Sequence, residues 1–77
     1  MDLPLRDGSS YEVPEEFLAE LEPLYPAVDV PQTVREMKGW LLGNPEKRKT
    51  KKGIKRFIVT WLKREQAQIT EGVHHGR

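Results

Sequence analysis

Apolar residues recur along this chain with two different periods, and the switch between them marks out its architecture. The opening segment, Leu3-Pro-Leu-Arg-Asp-Gly-Ser-Ser-Tyr-Glu-Val13, reads as a β-hairpin. Asp7-Gly8 supplies the positive φ angles of a tight turn, and short alternating stretches flank it, with Tyr11 and Val13 sharing a face. Strands this short need helices to pack against. From Pro14 the period becomes helical. A proline loses nothing at the first helical position, Glu15 and Glu16 suit the positive end of the helix dipole, and Phe17, Leu18, Leu21, Leu24 and Tyr25 mark one face. Pro23 pushes residue 22 off helical angles, so the pattern predicts a first helix over 14–22 and then a turn containing Pro26.

The second helix is predicted over 30–42. Asp29 stands as its cap, with Pro31 in the first turn and Gln32 in a variant capping box. Val30, Val34, Met37, Trp40 and Leu41 give its apolar face, and Gly43-Asn44-Pro45 ends it with a residue tolerant of left-handed angles followed by a breaker. After a charged connector, Thr50 caps a third helix predicted over 51–66, striped by Ile54, Phe57, Ile58, Trp61 and Leu62. From Ala67 the chain turns polar and reads as a frayed tail. The expected fold is mainly α: a short N-terminal β-hairpin followed by a compact three-helix bundle, one domain over 1–67 with a flexible tail over 68–77. The expected core is Phe17, Leu18, Leu21, Tyr25, Val30, Val34, Met37, Trp40, Leu41, Ile54, Phe57, Ile58, Trp61 and Leu62. Base stacking by Trp40 or Trp61 is the rival reading, and it requires an exposed ring.

Length and composition narrow the functions. Seventy-seven residues make one domain, and a chain this short buries only about 60% of its unfolded surface. With no cysteine there is neither a disulfide staple nor a Cys-based metal site. No apolar run approaches the ~20 residues of a membrane span, and Met1–Arg6 lacks the apolar region of a secretory signal. A cytoplasmic location, without membrane contact, is the expectation. The pair His74-His75 has no neighbouring ligands and reads as plain tail or a tag remnant, so no metal is expected. Glu15, Glu16, Glu20 and Glu22 read as a solvated acidic face. With no nucleophile–base pair or glycine-rich phosphate loop, neither enzymatic activity nor a cofactor is expected.

Charge changes the picture most. The net charge of +1 hides eight acids against Arg6 alone over residues 1–30, and twelve bases against four acids over residues 31–77. Either the halves neutralise one another in the fold, or the basic half meets an anionic partner. The cations concentrate. Lys47, Arg48, Lys49, Lys51, Lys52, Lys55 and Arg56 fall within ten residues, around Thr50. Projected at about 100° per residue, Lys52, Arg56 and Lys63 share a face opposite the apolar stripe, flanked by Lys55 and Arg64. A solvated surface needs less density than this, so Lys47, Arg48, Lys49, Thr50, Lys51, Lys52, Lys55, Arg56 and Lys63 are the expected contacts to a nucleic-acid phosphate backbone.

Three stretches also carry a resemblance: Leu24-Tyr-Pro-Ala-Val-Asp-Val30, Met37-Lys-Gly-Trp-Leu-Leu-Gly-Asn-Pro-Glu-Lys-Arg-Lys-Thr50, and Lys52-Gly-Ile-Lys-Arg-Phe-Ile58 with Trp61-Leu62. In that order, and with the opening Leu3-Pro-Leu-Arg-Asp-Gly-Ser9, they resemble a C-terminal accessory module of phage and prophage DNA-replication proteins of the replisome-organiser or primosome type. The likeness covers about residues 3–66. In the resembled proteins the module follows a helix-turn-helix domain; the expectation here is a module without that domain, either excised or borrowed. The resemblance implies a role in phage DNA replication in a bacterial host cell. It leaves open whether the surface meets nucleic acid or a replication protein such as a helicase or replisome organiser. The second alternative is a protein-interaction module that docks on, or inhibits, a host or phage replication protein, through the acidic first helix.

Overall fold

In the computed structural model, the backbone of residues 1–75 and the side chains of residues 1–70 are described. Strands β1 (Asp2–Pro4) and β2 (Ser10–Glu12) pair antiparallel, with Leu3 opposite Tyr11. Of the Asp7-Gly8 pair only Gly8 takes positive φ, at +92°, and the Asp7 carboxylate instead accepts the Ser9 N–H at 3.0 Å. A hydrogen bond from the Ser9 hydroxyl, with that backbone bond, holds the Asp7 carboxyl below its ordinary value. Helix α1 (Glu15–Leu21) starts one residue after Pro14, whose carbonyl accepts the Phe17 and Leu18 N–H groups. It tightens at Pro23 into a 3₁₀ turn over Glu22–Leu24.

Helix α2 (Val30–Gly43) carries the expected cap, the Asp29 carboxylate accepting the Gln32 N–H at 3.2 Å. Its end differs from the left-handed stop that Gly43-Asn44 predicts, because neither residue has positive φ. Side chains satisfy the last carbonyls instead: Asn44 Nδ2 donates to Trp40 O at 2.8 Å and Arg48 Nε to Leu41 O at 3.0 Å. A 3₁₀ turn over Pro45–Lys47 follows.

Helix α3 (Ile54–His75) departs from the predicted 51–66 at both ends. Residues 51–53 form a turn that Thr50 caps through both its carbonyl and its hydroxyl, and the helix proper starts after it. At the other end, residues 68–75 of the expected tail are helical, while residues 76–77 lie outside the described ones. Ala, Gln and Glu propagate a helix already nucleated by packing, even where no apolar face remains. From Ala67 to Thr70 every side chain is exposed, so the helix leaves the core there.

The core is one cluster of Leu3, Leu5, Val13, Leu21, Val28, Val30, Val34, Met37, Leu41, Ile54, Ile58 and Leu62. Leu3, Leu5, Val13 and Val28 replace several aromatics in the expected set. Phe17, Leu18, Tyr25, Phe57 and Trp61 are only partly buried against the cluster, and Trp40 is exposed. The reason is angular. On α2, Trp40 projects about 90° from the mean direction of Val30, Val34, Met37 and Leu41, and on α3 Phe57 lies about 100° from that of Ile54, Ile58 and Leu62. Two apolar stripes therefore meet along their aliphatic centres and leave their aromatic edges at the rim. Tertiary bonds lock the rest: Arg6 N–H donates to Lys49 O at 2.9 Å, and Ala27 N–H to the Gln66 side chain at 3.0 Å.

Candidate nucleic-acid interface

The acidic and basic halves share one core but form few ion pairs with each other. Among the described residues there are two ion pairs, the Met1 amino group with Glu12 at 2.7 Å and Lys38 with Asp2 at 3.1 Å. Only the second joins the two halves. The Lys38 hydrogen bond and its charge hold the Asp2 carboxyl below its ordinary 3.8. With a depressed folded value, that pair contributes above pH 3.8 and its contribution fades as pH falls through the lowered value. No cation of the loop or of α3 has a carboxylate partner among the described residues.

The nine expected contact residues do not all stand in the same way. Lys47, Lys51, Lys52, Lys55, Arg56 and Lys63 are exposed, as is Thr50. Arg56 and Lys63 share one face of α3, about 20° apart by helical projection. Lys52 belongs to the preceding turn, so its place on that face is set by the turn rather than by helical periodicity. Lys55 Nζ lies 5.3 Å from the Phe17 ring centroid, a cation–π contact that ties α3 to α1. Lys49, half-buried, lies 5.5 Å from the Phe57 ring centroid. Arg48, also half-buried, spends its Nε on the end of α2, so its truncation would be felt in the fold as well as in binding. Arg6, Lys47, Arg48, Lys49 and Thr50, with Glu46, line a shallow cleft of about 400 Å³.

Thr50 gives a direct check of this loop. Thr50→Ala removes the hydroxyl that accepts the Gly53 N–H at 3.2 Å, although the Thr50 carbonyl keeps a bond to the same group at 3.1 Å. The loss belongs at the low end of a lost cap, about 0.5–1 kcal/mol. Faster hydrogen exchange at Ile54 to Phe57 is the expected result; unchanged exchange there would show that the hydroxyl does not hold the start of α3.

A second feature adjoins the cations and is absent from the expected set. The rings of Trp40, Phe57 and Trp61 form a cluster. Trp40 lies nearly parallel to Phe57 (centroids 6.1 Å apart, 28°), and Trp61 meets both edge-on at 5.9 and 5.5 Å. They line an open cleft of about 640 Å³ whose other walls include Lys49, Arg56, Thr60, Arg64, Glu65 and Gln68. The sequence held a signal for it, since these aromatics sit on the flank of each stripe when projected, next to Arg56 and Arg64. Among the described residues, no group of His, Cys, Asp and Glu is arranged to hold a metal ion. The side chains of His74 and His75 lie outside the described ones. Among the described residues, no helix is long and apolar enough to cross a membrane. No protein-family model, curated protein or solved structure matches this chain.

Proposed function

We propose that this chain is an accessory module of phage or prophage DNA replication that binds nucleic acid by its phosphate backbone. The contacts are the basic loop over 47–52 and the exposed cations of α3. One observation carries the binding: Lys47, Lys51, Lys52, Lys55, Arg56 and Lys63 stand exposed without a carboxylate partner among the described residues. Unpaired cations at this density on a small domain, beside a start of helix whose N–H groups also favour anions, attract phosphate in any sequence context. The link to replication rests on the resemblance to the phage module. A pull-down from bacterial lysate, run with and without nuclease, tests both parts. Co-purifying nucleic acid that disappears with nuclease supports the binding; a replication protein retained regardless of nuclease points to docking instead.

That docking reading has one observation in its favour. Glu15, Glu16, Glu20 and Glu22 are all exposed along α1 and its 3₁₀ extension and none is ion-paired among the described residues, which suits a basic patch on a replication protein such as a helicase or replisome organiser.

A further inference from the structure

We infer that the Trp40–Phe57–Trp61 cleft takes an unpaired base, so that the nucleic acid this chain binds is single-stranded. The inference rests on the backbone-binding reading above and adds the part of the ligand that reading leaves unspecified.

Three observations converge on it. First, Trp40 is 36% exposed although it lies in a helix that buries five other residues, so the residue stays accessible outside the core. Phe57 packs beside the indole at 28° and Trp61 meets it edge-on, contacts that restrain the ring. A restrained ring stacks a base with little ordering cost. Second, the cleft of about 640 Å³ lies within the usual size of small-ligand sites, and is open to solvent along α3. Third, its rim is cationic. Lys49, Arg56 and Arg64 outnumber the single carboxylate, Glu65, and Arg56 and Arg64 stand about 12 Å apart along the helix, on either side of the rings. That layout brings a backbone past the aromatic cluster on the same side as the cations proposed to hold phosphates.

Duplex nucleic acid does not fit the arrangement, because its base faces are covered by their neighbours in the stack. A single strand offers π-faces and phosphates together, and stacking tolerates any base. An acidic protein segment shares the charge but has no run of flat rings to match the cluster.

The test uses the whole chain and three probes: a short oligothymidylate strand, the same strand annealed to its complement, and an abasic strand of equal length. Both tryptophans belong to the cluster, so intrinsic fluorescence reads the site directly. Quenching by the base-bearing strand alone is expected, with affinity for it above that for the abasic strand. Trp40→Ala should lower affinity for the base-bearing strand about tenfold and leave the abasic strand unaffected. Trp40→Phe should restore most of the loss, and because Trp40 is exposed, circular dichroism should show both variants folded. Equal binding of base-bearing and abasic strands, or an unaltered Trp40→Ala variant, would overturn the stacking site and leave phosphate binding intact. Failure of the chain to bind any of the three at low salt would overturn both.

Discussion

Ile58→Ala is expected to leave the chain largely unfolded at room temperature. Ile58 is fully buried in mid-stripe on α3, between Ile54 and Leu62, in the same cluster as Met37 and Leu41 of α2 and Leu3 of the hairpin. Truncating a buried isoleucine removes its transfer free energy and leaves a cavity, together about 2–5 kcal/mol. A domain of this size, without disulfide or metal, holds only about 3–5 kcal/mol in total. The mutation therefore consumes most of the stability. Trp61→Ala, by contrast, removes a half-buried ring at the edge of the core and should lower the melting temperature less. Thermal unfolding followed by circular dichroism ranks the two. If Trp61→Ala proves the more damaging, the aromatic cluster is core and not rim.

The second large effect is on binding. Reversing charge at Lys52, Arg56 and Lys63 together is expected to abolish nucleic-acid binding while the fold survives. All three side chains are exposed, and none takes part in a hydrogen bond or ion pair of its side chain among the described residues. Surface changes of this kind usually shift stability by no more than about 0.5 kcal/mol each. Binding responds far more strongly, because each phosphate contact contributes about 0.7–0.9 to the slope of log affinity against log salt. Losing three should flatten that slope by about two to three units, on top of the repulsion from the new carboxylates. A folded triple variant with wild-type affinity would move the interface elsewhere on the molecule.

The elements visible in the sequence were those with a local cause. Asp7-Gly8 demands a turn, Asp29 caps a helix whatever surrounds it, and Pro23 tightens one; each acts within four residues. What local pattern could not supply was the width of the apolar stripes. Phe57 and Trp61 match the period of Ile54, Ile58 and Leu62, yet only the packing of α2 on α3 decides that the aliphatic centre is buried and the aromatic edge left at the surface. Leu3 and Leu5 alternate as strand residues should, but their burial depends on the hairpin folding against helices distant in sequence. The end of α3 was hidden for a different reason: it shows no apolar period, and Gly72 argues against helix although Ala67, Gln68 and Glu71 favour it. At the candidate interface, the density of cations was plain in the sequence, whereas the use of Arg48 to end α2 and the placement of Lys49 and Lys55 over aromatic rings are tertiary facts.

The central claim is that the unpaired cations of the loop and α3 hold a phosphate backbone. The most direct test titrates the wild-type chain with a labelled oligonucleotide, beginning at low salt and repeating the titration as salt is raised. Measurable binding is expected, with log affinity falling linearly against log salt at a slope of about −2 or steeper, as three or more phosphate contacts require. A folded chain that binds no nucleic acid even at the lowest salt would contradict the claim.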